Sequence, residues 1–367
     1  MREIKPKIVF LQASLSQPRE LKRIRSFINA GFDVEGYAFN RGYYNVNSIV
    51  DGIKFHDIGF AKSGSNYWRK FIYARKVLRE IFLKFKSEEV IYYSFSFDLT
   101  LLCKIYSGKK VIHEISDIVY GYFENNFIHW FFKQIDKWLI KLSFLTVMTS
   151  EGFYSYLFPS KNLSNVIIQP NKLDKFFNGI SRKGKKVDCN KLVFSYIGSF
   201  RYPNTVFRFA RVIGETFLNH EFHFYGDSEY TESVKALSKK YVNVLYKGAF
   251  RNPDDLQDIY SNVDIVVACY DTENLNERIA EPNKLYEALF FKKPIIVSSN
   301  TFLASQIQKF QCGFEMDATM DVNIIQLVNS LTIEKLDKLI NQIEKIDLSY
   351  IIDDDAVNII KYVRDNT

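Results

Sequence analysis

No run in the 367-residue chain approaches the ~18 uninterrupted apolar residues of a membrane-spanning helix, although 47% of its residues are hydrophobic. The opening MREIKPKIVFLQAS sets basic residues before an apolar run. IVFL is far too short for the core of a signal peptide and Gln12 interrupts it, so a first β-strand is expected instead. Cysteine is scarce: Cys103, Cys189, Cys269 and Cys312 are scattered without a C-x-x-C spacing. That pattern argues against a zinc site and for free thiols in a reducing, cytoplasmic compartment. The loop from Gln12 to Gln17 lacks the G-x-G-x-x-G spacing, which disfavours a dinucleotide site where such a site should fall. An excess of one charge is also missing, since a formal +7 on this length gives no ground for a nucleic-acid partner.

What is present is a repeated alternation of short apolar runs and amphipathic stretches on a chain too long for one core, so two α/β domains are expected. In the first half, strands are expected at Lys7 to Leu11, Phe32 to Ala38, near Gly52 to Asp57, Val90 to Ser94, Lys110 to Glu114, Leu145 to Thr149 and Asn165 to Pro170. Helices are expected at Pro18 to Ala30, Asp98 to Tyr106 and Phe127 to Phe144. Arg19 stands at a helix start, where a cation opposes the dipole, which points to an interaction there. The stretch Asn66 to Lys86 is basic and amphipathic, and reads either as a peripheral contact with an anionic membrane or as a domain helix with a solvated face. Trp130, Phe131, Phe132 and Trp138 likewise read as core packing or as an aromatic patch at a lipid interface. The strand Lys110 to Glu114 opens into Ile115-Ser116-Asp117. Its carboxyl end makes His113, Glu114, Ser116 and Asp117 candidate site residues, because ligands of open parallel sheets bind there.

The polar, basic stretch around SRKGKKVDCN, within Asp174 to Asn190, reads as an interdomain linker. It divides the chain into 1–185, 186–348 and a helical tail 349–367 that crosses back to the first domain. Beyond it, strands are expected at Leu192 to Ile197, Glu221 to Tyr225, Val242 to Lys247, Asp264 to Ala268 and Ile295 to Val297. Helices are expected at Thr205 to Thr216, Glu232 to Tyr241 and Pro253 to Ser261, and a long polar loop at Tyr270 to Ala280. Gly198, Gly226 and Gly248 follow three successive strands; they serve as turns or let a backbone approach a ligand. The densest chemistry lies in EPNKLYEALFFKKPIIVSSN (281–300). Pro282 starts a short helix whose N-terminal end, carrying Asn283 and Lys284, forms a seat for an anion. Asn283 either caps that helix or touches a ligand.

The series YIGSFRYPN (196–204), FYGDS (224–228), YKGAF (246–250), Asp264-Ile265 and N-x5-PNKLYEAL-x4-KPII (276–296) resembles retaining glycosyltransferases of the two-Rossmann-domain GT-B architecture. Within them it is similar to glycosyltransferase family 4, in its bacterial surface and capsular polysaccharide branch. SQPRELKR (16–23) and VIHEISDI (111–118) match more loosely. The resemblance implies two Rossmann-like domains facing across a cleft. The N-terminal one would bind a saccharide acceptor, free or lipid-linked, and the C-terminal one a UDP-, GDP- or other NDP-sugar. It implies Glu287 as ligand of the ribose hydroxyls, and Arg201 and Lys284 as the cations on the diphosphate leaving group. Leu285, Tyr286, Asn283, Gly198 and Gly226 complete the donor site. Glu287→Ala is then expected to weaken donor turnover sharply and preserve the fold. No metal is implied: no D-x-D lies between the domains, and Asp353-Asp354-Asp355 reads as a solvated run or helix start.

The sequence departs from that pattern twice. A Glu facing the donor sugar would stand eight positions before Glu287, where this chain has Ile279 between Glu277 and Glu281. A His-Asp pair is replaced by Ser116-Asp117, with His113 three residues earlier. These departures leave two rivals, a sugar-nucleotide epimerase or hydrolase on the same fold and a non-catalytic scaffold of a polysaccharide assembly complex. A nicotinamide oxidoreductase is more distant for want of the glycine fingerprint.

Overall fold

The computed structural model describes residues 6–14, 18–40, 49–50, 53–60, 67–123, 125–180, 182 and 187–367, without side chains at 49–50, 53–54, 60 and 67–70. The end of the first loop (15–17), the head of the basic stretch with Asn66, and the centre of the expected linker (183–186) lie outside the described residues. The chain divides into a first unit, 1–171 with 354–367, and a second, 172–353.

In the first unit, β1 (Lys7–Gln12), β2 (Val34–Asn40), β3 (Ile49–Val50), β4 (Ile53–Phe60), β5 (Val90–Ser94), β6 (Lys110–Ile115), β7 (Leu145–Met148) and β8 (Val166–Ile168) form one sheet. Its order is β3-β4-β2-β1-β5-β6-β7-β8, parallel except for the β3–β4 pair. Runs such as KIVFLQ and VIYYS are apolar almost throughout because helices cover both faces, so both sets of alternating side chains are buried. Ile8 and Phe10 point to one face, where Ile24 and Phe27 of α1 (Pro18–Asn29) meet Ile359, Ile360 and Val363 of the C-terminal helix Val357–Asp365. Val9 and Leu11 point to the other, against Leu78 and Phe82 of α2 (Tyr67–Lys84) and Leu99 and Leu102 of α3 (Phe97–Tyr106). The next helix, α4 (Asn126–Leu142), starts where the Asn125 side chain accepts from the backbone of Phe127 and Ile128.

The second unit repeats the design with β9 (Val193–Ile197), β10 (Glu221–Tyr225), β11 (Val244–Gly248), β12 (Ile265–Ala268), β13 (Ile295–Ser298) and β14 (Gly313–Met316), all parallel, in the order β11-β10-β9-β12-β13-β14. Each sheet reverses its winding beside its first strand, between β1 and β5 and between β9 and β12. At such a point connecting loops diverge and leave a crevice at the strand carboxyl ends.

Two expectations are corrected, and the expected linker is anchored at two of its described residues. Phe177 packs edge-on to Phe290, and the Arg182 guanidinium donates to the carbonyls of Phe290 (2.8 Å) and Leu289 (3.2 Å), which ties it to the second unit. The polar loop Tyr270 to Ala280 contains a helix, Leu275–Ile279, begun by Asn274. Asp353 is buried rather than solvated, and only its neighbour Asp354 is exposed.

Candidate active site

In the second unit the site grows from the ends of β9 and β10. Gly226 has φ +144°, and a Cβ there would stand 1.9 Å from the Gly198 carbonyl oxygen, so no other residue fits without moving the β9 loop. Gly198, at φ +140°, is less confined. The nearest atom to an added Cβ would be Lys284 Cε at 3.6 Å, so the lysine stem is laid across the glycine. The backbone N–H of Gly198 donates to Tyr225 and that of Gly226 to Gly248, each at 2.8 Å, holding the three strand ends together.

The short helix Lys284–Phe290 supplies the charges. Its apolar residues Leu285, Ala288, Leu289 and Phe290 drive it into the core, and Glu287 goes in with them. Glu287 is fully buried, with two partners at the start of its own helix and a third, Tyr260, from the helix Leu256–Ser261. Oε2 accepts from Lys284 Nζ at 2.5 Å and from the Tyr260 hydroxyl at 2.8 Å, and Oε1 accepts from Asn283 Nδ2 at 2.8 Å. Three donors compensate the desolvated carboxylate. Asn283 therefore does not cap its helix with its side chain but orients the glutamate. Glu287→Ala would strip a partner from each of three groups, so the expectation that this substitution spares the fold does not stand. The Leu285 side chain is core, so a ligand would meet only its backbone. Tyr286 is 3% exposed and donates to Glu281.

Arg201 is exposed in the loop that follows Gly198. Next to it stands a cluster of which sequence reasoning named Glu277, beside the Ile279 position, but not Tyr202 or Tyr270. Tyr202 takes a left-handed φ of 68°, stacks on Tyr270 with centroids 4.7 Å apart, and donates its hydroxyl to Glu277 at 2.9 Å. Burial and the Glu277 carboxylate push the Tyr202 phenol well up, so it stays a donor. The findable signal was Asn274 three residues before Glu277, the spacing of a helix start that brings the carboxylate into the first turn. Ile279, at the last position of the same short helix, brings no carboxylate.

The first unit has its own pocket, of ≈ 190 Å³, at the carboxyl ends of β1, β5 and β6. Ser116 and Asp117 line it, Ser116 half-buried and Asp117 exposed, together with His113 and Asp136. Arg19 proves to be held by Glu114 Oε1 at 3.2 Å, and Arg23 by Glu114 Oε2 at 3.1 Å, which resolves the misplaced cation at the helix start. Burial alone pushes His113 down to about 3, so it is neutral, and its Nδ1 has no hydrogen-bond partner among the described residues. Asp136, from α4, accepts from the Tyr120 hydroxyl at 2.9 Å. Burial pushes it up to about 7, against the opposing hydrogen bond from Tyr120. With Arg19, Glu20, Glu114 and Asp117 also in its lining, the pocket offers charged groups beside the neutral His113, a set suited to hydroxyls. Among the described residues no three His, Cys, Asp or Glu side chains are grouped to hold a metal.

Residues 191–329 match the family model described as Glycosyl transferases group 1. No curated protein matches the chain. Among solved structures, HepE from Anabaena in complex with UDP is similar, at 12% identity over 98% of both chains with TM-score 0.72. So is a glycosyltransferase from Rickettsia africae, at 13% identity over 100% of both chains with TM-score 0.69. Sucrose-phosphate synthase from Thermosynechococcus elongatus is similar at 10% identity, over 98% of this chain and 99% of that one, with TM-score 0.72. These likenesses establish the fold as the two-domain α/β architecture of GT-B glycosyltransferases, and the family match lies in the second unit.

Proposed function

With a group 1 glycosyl transferase segment in the second unit, we propose that the protein transfers a sugar from a nucleoside-diphosphate donor to a saccharide acceptor carried on a lipid. The anomeric configuration is retained, and the product feeds a bacterial surface polysaccharide such as a capsule. The observation that carries this reading is Lys284 laid across Gly198, with Arg201 in the loop beyond, where the strand ends leave backbone room for a diphosphate. Negative charge grows on the leaving diphosphate as the glycosidic bond breaks, and these two cations stabilise it. In the free protein Lys284 is parked on Glu287. When the donor binds, the ammonium shifts to the phosphate and frees Oε2 to accept from a ribose hydroxyl, so one carboxylate serves both states. Asn283, the backbone of Leu285 and Tyr286, and Gly226 frame that seat. Glu277, fixed by Tyr202, supplies the carboxylate that Ile279 does not. The acceptor occupies the first unit's pocket, where Ser116 and Asp117 meet its hydroxyls.

No divalent metal takes part in this reading, because the two cations meet the phosphate charge directly. The protein works at the inner face of the membrane, with Asn66–Lys86 toward the anionic surface. Lys284→Met tests the core of the proposal. Nucleotide release from UDP- and GDP-sugars with saccharide acceptors should fall by about 10²–10³-fold in kcat, read per folded protein because the variant also leaves the buried Glu287 carboxylate without its ammonium. Full activity in the variant sinks the assignment, and loss of activity on adding EDTA sinks its metal-free part.

A further inference from the structure

Helix α4 carries an apolar face that its own unit does not cover. At 100° per residue, Phe127, Phe131, Trp138 and Leu142 fall within an arc of roughly 60°. They are 71, 49, 48 and 47% exposed, and Trp130 beside them is 55% exposed. The opposite side, with Asp136, Leu139 and Ile140, is buried in the unit. Lys137 and Lys141 fall at one edge of the exposed face, on either side of Trp130, while Lys133 lies farther round with its ammonium over the Tyr156 ring, and the only acid in the helix, Asp136, is turned inward. Helix α3 packs against both α4 and α2, and Arg75 and Arg79 of α2 lie over the Tyr106 ring of α3, extending the positive charge.

We infer that α4 is the membrane-contacting element of this protein, lying in the plane of an anionic bilayer with its aromatic face in the headgroup–acyl boundary. Tryptophan and phenylalanine on one side and lysines along the edge are the chemistry of such an interface. Among the described residues no helix is long and apolar enough to cross a membrane, so the helix rests on the bilayer. A second copy fits the face less well, because an isologous pairing with antiparallel helices would bring two lysine edges of the same sign together. In α2, by contrast, most of the described outward positions are charged, and it contributes attraction instead of apolar area. The inference stands whether or not the proposed reaction is the right one.

The test is co-sedimentation of the full chain with vesicles of phosphatidylcholine alone and of phosphatidylcholine with phosphatidylglycerol, with tryptophan emission read in parallel. The wild type should bind the anionic vesicles, lose affinity as salt rises, and shift its emission to shorter wavelength. Phe127→Ser with Phe131→Ser and Trp138→Ser should weaken binding at least tenfold, with the melting transitions retained. Lys137→Glu with Lys141→Glu should abolish the preference for phosphatidylglycerol. Equal binding by the wild type and the aromatic variant, or no binding by either, overturns the inference. So does a concentration-dependent dimer that the aromatic variant abolishes in a chain that ignores vesicles, an outcome that assigns the face to a second copy.

Discussion

Gly226 and Gly198 look alike in sequence and share the same backbone region, yet they carry different loads. Alanine at 198 meets only the strain of its positive φ, whereas alanine at 226 also drives its Cβ into a carbonyl 1.9 Å away. The strain alone is worth about 1–3 kcal/mol. Gly226→Ala should therefore destabilise the second unit clearly more than Gly198→Ala does, as read by denaturant unfolding. Equal losses would contradict the contact. Asp136 makes a prediction in pH. Its folded value of about 7 lies above that of an unfolded carboxyl, so its contribution is fullest below about pH 4 and is lost as pH rises towards 7. The slope is at most about 1.4 kcal/mol per pH unit. Asp136→Asn keeps an acceptor for Tyr120 but removes the titration. The stability of the variant relative to the wild type should thus improve steadily from pH 4 to pH 7 and level off above, and a flat difference would refute the burial argument.

The strands were readable because parallel sheets covered on both faces write themselves as continuous apolar runs, and every run named from sequence is a strand here to within a few residues. What failed to show was structure made by tertiary partners. The helix Leu275–Ile279 is one turn long, too short for its single apolar pair, Leu275 and Ile279, to establish a period. The basic stretch after Asp174 has a linker's composition, but Arg182 spends its charge on the carbonyls that end the helix Lys284–Phe290. The candidate site was legible as residue types at a spacing. That Glu287 turns inward to hold Lys284 was not, since a helical carboxylate looks the same in sequence whether it faces water or the core. The C-terminal helix depends on such partners too. Ile359→Ala removes a fully buried side chain from the core around Ile8 and Phe10, at a cost of about 2–5 kcal/mol. Amide exchange should accelerate across β1 and β6 and stay unchanged across β9 and β12.

Each unit has its own sheet and its own buried clusters, so the protein should unfold in more than one step. If the second unit holds the nucleotide, UDP at about 100 times its Kd should stabilise that unit by about 2.7 kcal/mol and leave the first unit's transition where it was. A shift of the first transition alone would place the nucleotide elsewhere. The route of the chain adds something that neither unit shows alone. The second unit is entered at 172 and left at 353, and these two passages are stitched side by side: Leu173 N–H donates to Ile351 at 3.0 Å, and Asp353 N–H to Leu173 at 2.7 Å. It is an insertion within the first unit, whose helix Val357–Asp365 is synthesised after the whole of the inserted domain. On the ribosome the domain that begins first is therefore completed last. Until residues 357–365 emerge, the sheet face built around Ile8 and Phe10 waits without its cover, while the inserted domain already has its whole sequence.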